Sequence, residues 1–142
     1  MTRGRLTPLQ YWRLQLRLML ALAVVAVVTC LATIAGGWLG AAPCLFAIPI
    51  FLAGLIAGLR RLHDRGKGVV WLAIFTLGPA ALAAPARLIE RGASAGLMLG
   101  ALLLALAGLL LTIWAWIEIG FLRGQKGPNR YGPDPRALSS AA

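Results

Sequence analysis

Charged residues interrupt this chain at only a few places, and the uncharged stretches between them predict its elements. Leu18 to Leu59 is one such stretch, Gly68 to Ala86 a second and Gly92 to Ile117 a third. A bilayer core about 30 Å thick needs roughly 20 helical residues, so the last two stretches hold one span each. The first holds two, because an unbroken helix over Leu18–Leu59 would be about 63 Å long. Its reversal lies in "AGGWLGAAP", where Gly36, Gly37 and Gly40 loosen the backbone, Trp38 suits an interface and Pro43 suits the first turn of a new helix. The expected spans are therefore about 18–35, 42–59, 69–86 and 95–120, in a single membrane domain over 1–136 with a disordered tail at 137–142. Read as a signal peptide, the first run is too long, since such apolar regions have roughly 7–15 residues.

Composition agrees with a bilayer rather than with water. Of 142 residues 60% are hydrophobic and 13% charged, with mean hydropathy +0.82. The fold class expected is an all-α membrane protein with four transmembrane helices. Of the 14 lysines and arginines, only Arg87 and Arg91 lie in the third connection and none in the first; the other 12 flank the termini and the central loop. By the positive-inside rule both termini and the central loop face the cytoplasm. The formal charge of +10 is then a topology signal, with anionic membrane lipid as the expected partner and no role for nucleic acid.

Within the spans, "G-x-x-x-G" spacings at Gly54/Gly58 and Gly96/Gly100 predict close helix packing inside the monomer, with a homo-oligomer as the alternative. Gly78, Pro79 and Pro85 predict a kink in the third span near Phe75. Cys30 and Cys44 lie at similar depth across the first turn and read as small buried hydrophobes; with no His or acid beside them they make no metal site, and no cofactor is expected. The apolar runs contain no Asp, Glu, Lys, Arg or His, which argues against an ion-coupled transporter. Glu118, at the end of the fourth span beside Trp114 and Trp116, is expected to pair with an arginine of the central loop; a gating or substrate-binding acid is the alternative.

The dense polar cluster is "RRLHDRGKG", residues 60–68. Arg60 and Arg61 are expected to end the second helix, where cations suit the dipole, and Gly66 and Gly68 to turn the chain. His63 and Asp64 are adjacent, so their side chains diverge and form no catalytic pair with each other. Arg60, Arg61, His63, Asp64, Arg65, Lys67 and Arg130 are the candidates for contact with lipid or a protein partner. The turn-rich "GPNRYGPDP", residues 127–135, is restricted by its prolines and is cheaper to order than a free terminus. It is expected to fold onto the hairpin as a polar latch of Arg5, Tyr11, Asp64, Glu118, Asn129, Arg130, Tyr131 and Asp134. In that latch Asp64 pairs with Arg130 or Arg5, and Asp134 with Arg61 or Arg65.

"GRLTPLQYW" (Gly4–Trp12), "RRLHDRGKG" followed by Trp71, and "GPNRYGPDP" resemble, in order and spacing, the signatures of the bacterial inner-membrane family catalogued as domain of unknown function 805. Where that family typically carries a serine, a glycine and an aromatic pair after the lysine, this chain has Gly68, Val69, Val70 and Trp71. The resemblance implies fold and location and transfers no catalytic residue. "GKG" also lacks the flanking residues of a phosphate loop. The favoured reading is a non-enzymatic binding or assembly protein with a basic cytoplasmic face. The alternatives are an oligomeric small-solute channel or exporter and a lipid head-group enzyme using His63.

Overall fold

The structure, a computed structural model, describes residues 4–35, 38–88 and 94–136. It is all-helical, with four helices long and apolar enough to cross a membrane and no strand among the described residues. These are α1 (Pro8–Ile34), α2 (Ala47–Asp64), α3 (Val69–Leu88) and α4 (Ala95–Trp116). A 3-10 segment (Trp38–Phe46) leads into α2, and a π-helical turn (Ile117–Phe121) closes α4. Leucines, valines and isoleucines along all four helices stay exposed on the chain. In water such a surface would aggregate, and in a bilayer it meets acyl chains.

α1 starts at Pro8, ten residues before the expected span. Thr7 caps it: its hydroxyl accepts from the Gln10 amide (3.3 Å) while the Gln10 side chain accepts from the Thr7 amide (3.1 Å). α2 runs on through Arg60, Arg61 and His63 to Asp64, so the cluster expected in a loop is mostly the last turn of a helix. The reversal needs only Arg65 to Gly68, with Gly66 in the left-handed region at φ 73°. α3 continues through both prolines to Leu88. The expected disordered tail and the expected turn glycines Gly36 and Gly37 lie outside the described residues.

α3 and α4 pack along much of their length, and the seam is made of small residues. Ala101, Gly108 and Ala115 are the buried residues of α4, spaced by seven. A Cβ on Gly108 would sit 3.0 Å from the Pro79 carbonyl, and one on Gly78 would sit 2.8 Å from Leu111. The Gly96/Gly100 pair is not part of this seam: both are exposed, with nothing within 4 Å of an added Cβ. A heptad-spaced seam selects positions 101, 108 and 115, where alanine serves as well as glycine. Gly54 and Gly58 do face neighbours, Leu18 and Leu72. Cys30 and Cys44 are free thiols and both exposed, so neither is a core residue; Cys44 Sγ lies 3.6 Å from Thr29 Oγ1.

The α1–α2 and α3–α4 pairs do not close into a tight four-helix bundle. Among the described residues the backbone of α1 approaches α2, the 3-10 segment and the π turn, but neither α3 nor α4. The two pairs therefore meet at one end, where the polar residues collect, and leave an apolar cleft beside α1. The small core at the junction is Leu62, Phe75 and Ala115, covered by Trp71, Leu72, Leu111 and Ile119.

Candidate functional site

At the junction the chain buries charge, which is costly unless every group is paired. Asp64, the last residue of α2, holds two guanidinium groups: Arg5 on Oδ1 (Nη2 at 2.9 Å) and Arg61, one turn back, on Oδ2 (2.8 Å). All three side chains are at most 2% exposed. Arg5 also donates to the carbonyls of Gln125 (2.5 Å), Gly127 (2.7 Å) and Gly132 (3.3 Å), and Arg61 donates to the Leu122 carbonyl. One arginine near the N-terminus thus ties the end of α2 to the C-terminal segment. That segment is irregular after the π turn, and its unpaired carbonyls are the acceptors that the excess cations require.

A second carboxylate completes the arrangement. Glu118, buried in the π turn, accepts from Arg65 Nε (2.5 Å) and from Lys67 Nζ (2.8 Å) on one oxygen. Lys67 also lies over the ring of Trp71, 4.2 Å from its centroid, with Trp114 at 5.4 Å and Phe75 at 5.9 Å. Arg65 reaches on to the Arg123 carbonyl (2.8 Å). The π turn offers its widened backbone to α1 as well: the Trp12 indole donates to the Gly120 carbonyl (2.9 Å), and a Cβ on Gly120 would meet that ring at 2.8 Å.

The tail folds onto the hairpin through its own turns. Asn129 and Gly132 exchange backbone hydrogen bonds, and the Asn129 carboxamide accepts from the Tyr131 amide (2.9 Å) while donating to the His63 carbonyl (2.9 Å). Tyr131 stacks on His63, with centroids 3.9 Å apart and planes 5° from parallel. Arg130 donates to the Gly66 carbonyl (3.2 Å). Asp134 accepts from the amides of Gly127 and Arg136 (both 3.0 Å), and those bonds, Arg136's first, hold its carboxyl below the usual carboxylate range.

Of the expected latch residues, the structure brings together Arg5, Asp64, Asn129, Arg130 and Tyr131, with Glu118 joined through Arg65. The expected Asp64–Arg5 pair forms, and three details differ. Asp64 takes Arg61 besides Arg5, not Arg130, because an i, i+3 pair on one helix is already in reach. Asp134 takes neither Arg61 nor Arg65; it caps its own turn, the usual local use of an aspartate beside proline and glycine. Tyr11 stands apart, its ring edge-on to Trp12 and lining the cleft. Among the lipid-contact candidates, Arg61 and Asp64 are buried and face each other, and Arg65 and Lys67 are committed to Glu118. Only Arg60 and Arg130 are exposed.

Several participants escaped the sequence reading. Gly124 passes so close to Asp64 that a Cβ there would overlap the carboxylate, and a Cβ on Gly4 would overlap the Tyr131 carbonyl. Gln125 returns its amide to the Asp64 carbonyl (2.8 Å). These are backbone approaches and carry no chemical signature beyond a glycine. Among the described residues no cluster of His, Cys, Asp and Glu could hold a metal.

No curated protein and no solved structure matches the chain. A family profile does, over residues 1–133, which includes the Arg5 segment, the hairpin and nearly all of the tail that meet at this junction. This multi-pass membrane protein therefore belongs to the family described as protein of unknown function (DUF805).

Proposed function

We propose that this is a non-enzymatic protein of the bacterial inner membrane, with both termini cytoplasmic, whose basic cytoplasmic face binds anionic lipid headgroups. One observation carries the reading. The end of the molecule where the N-terminal segment, the hairpin and the tail meet displays Arg13, Arg17, Arg60, Arg123, Lys126 and Arg130 as exposed side chains, whereas of the described carboxylates Asp64 and Glu118 are buried and Asp134 is half-buried. Asp64 and Glu118 are turned inward by their ion pairs and Asp134 is taken up by its own turn, which leaves basic groups in large excess on the outward surface. Each basic group near an anionic leaflet contributes about 1 kcal/mol of attraction. The latch supports this by fixing three chain segments in one rigid surface.

The test is native mass spectrometry of protein extracted from vesicles of phosphatidylcholine mixed with phosphatidylglycerol, together with reporter fusions at Gly66, Gly37 and Gly92. Wild type is expected to enrich phosphatidylglycerol, and Arg60→Gln with Arg130→Gln to lose that enrichment. Gly66 is expected to report the cytoplasm and the other two the periplasm. Equal enrichment in the double variant, or a periplasmic Gly66, defeats the reading.

A further inference from the structure

The cleft beside α1 is where the helices fail to close, and its shape and lining are specific. Its main hollow, about 590 Å³, lies between α1, α2 and α3; a second of about 310 Å³ lies between α1, α3 and the end of α4. Tyr11, Gln15, Met19, Thr76 and Ile119 line both. Along α2 the main hollow is lined by a broad face that includes Ala47, Phe51, Gly54 and Gly58. Steps of four, three and four residues lead next to position 61. That position is Arg61, which lines neither hollow and is fully buried behind this end of the cleft, where it holds Asp64. Tyr11 and Gln15, one turn apart on α1, carry the polar side-chain ends at the same closed end of the cleft, and neither end has a hydrogen-bond partner among the described residues.

The arrangement is therefore an apolar trough with two polar groups, Tyr11 and Gln15, at one end. Its walls are leucine, isoleucine, phenylalanine and methionine, so water gains too few partners to fill it. A helix from a second copy, about 10 Å across, would need about 1,200 Å³ over a 15 Å length, twice the space of the main hollow. An extended hydrocarbon chain is only about 4 Å wide at carbon contact distance and takes about 250 Å³ over 20 Å. Two such chains fit the main hollow. We propose that this cleft is a phospholipid site: the acyl chains lie along α2 from Gly58 toward Ala47, and the ester and phosphate oxygens accept hydrogen bonds from Tyr11 and Gln15. This deepens the lipid-binding reading but uses a different surface, since Arg13, Arg17 and Arg60 stand about 200° around their helices from Gln15, Gln15 and Gly58.

Gly54 offers the means to test it, because a side chain there has room: an added Cβ would meet only Leu18 at 4.0 Å. The experiment compares wild type, Gly54→Leu with Ala47→Leu, Tyr11→Phe with Gln15→Leu, and Arg60→Gln with Arg130→Gln. Each is extracted in mild detergent from phosphatidylglycerol and phosphatidylcholine vesicles and weighed by native mass spectrometry. Wild type is expected to retain one phospholipid per chain. The filled variant should retain about tenfold less, equivalent to about 1.4 kcal/mol, and the Tyr11/Gln15 variant, which keeps the cavity volume, several-fold less. The arginine variant should keep its one lipid even where it loses headgroup preference, which separates this site from the basic face. Lipid retained equally by the filled and wild-type chains overturns the proposal, as does a wild type that carries a second copy and no lipid.

Discussion

Replacing Asp64 by Asn removes one negative charge from the junction without changing its shape. Arg5 and Arg61 are then left buried, at 1% and 0% exposure, facing each other across a neutral amide. Breaking a buried pair from one side costs about 3–5 kcal/mol. The lower end applies here, because Arg5 keeps the carbonyls of Gln125, Gly127 and Gly132 and Arg61 keeps that of Leu122. About 3 kcal/mol is roughly a hundredfold in the equilibrium for local opening. Hydrogen exchange in detergent reads this directly at the amides of Gln125, Gly127, Tyr131 and Gly132, all hydrogen-bonded in the closed tail. They should exchange about a hundredfold faster in Asp64→Asn, while the amides in the middle of α2 and α4 keep their protection. Gly124→Ala should reproduce the effect, since its Cβ overlaps the carboxylate. In a double-mutant cycle, adding Arg5→Ala to Asp64→Asn should cost much less than Arg5→Ala alone. Unchanged exchange at Gln125 and Gly132 in Asp64→Asn would refute the reasoning, as would wild-type tail amides that exchange at the intrinsic rate of an unprotected chain.

Three further outcomes are expected. Glu118→Gln should destabilise the chain by about 1–2 kcal/mol, less than a fully buried charge because Arg65 and Lys67 are 24% and 21% exposed and can turn to water; thermal unfolding measures it, and a shifted tryptophan emission should accompany it as Lys67 leaves Trp71. The tail should loosen in acid: the Asp134 carboxyl is held below its usual range in the folded tail, so its contribution is complete above the ordinary value of about 3.9 and disappears as pH falls through the lower folded value. Gly127 exchange, corrected for its intrinsic pH dependence, should therefore rise only in that acid window, and Asp134→Asn should abolish the rise. Replacing both Cys30 and Cys44 with Ala should leave expression and non-reducing gel mobility unchanged, because both thiols are free and exposed; a mobility change would show that they pair.

Charge at the junction explains why the C-terminal segment abandons regular structure. Arg5, Arg61, Arg65 and Lys67 bring four positive groups to two carboxylates, Asp64 and Glu118. The remaining donors go to carbonyls of Leu122, Arg123, Gln125 and Gly127, which a continuing helix would have kept for itself. The left-handed conformations of Gly127 and Gly132 turn the chain so that these oxygens face inward.

Burial from water needs only length and hydropathy, and these the sequence carried in full: four spans were legible because a bilayer demands about 20 uncharged residues each time the chain crosses. The local grammar of the tail was legible too, since prolines and glycines limit residues 127–135 whatever surrounds them. The start of α1 was also written in the chain, as the Thr7-to-Gln10 capping box ahead of Pro8, although charge at Arg13 and Arg17 drew the expected boundary inward to Leu18. Partner choice was different. Asp64 had several arginines within plausible range, and nothing local distinguishes Arg5 from Arg130; the packing of α2 against the N-terminal segment, with the Leu6 amide on the Arg60 carbonyl, decides it. The α3–α4 seam likewise depends on which face of α4 turns inward, and in a helix apolar all round no moment marks that face, so Gly96/Gly100 and Ala101/Gly108/Ala115 are equal in sequence and unequal in structure. The cleft is a failure of α1 to approach α3 and α4, a relation between segments far apart in the chain, and only the assembled helices could create it.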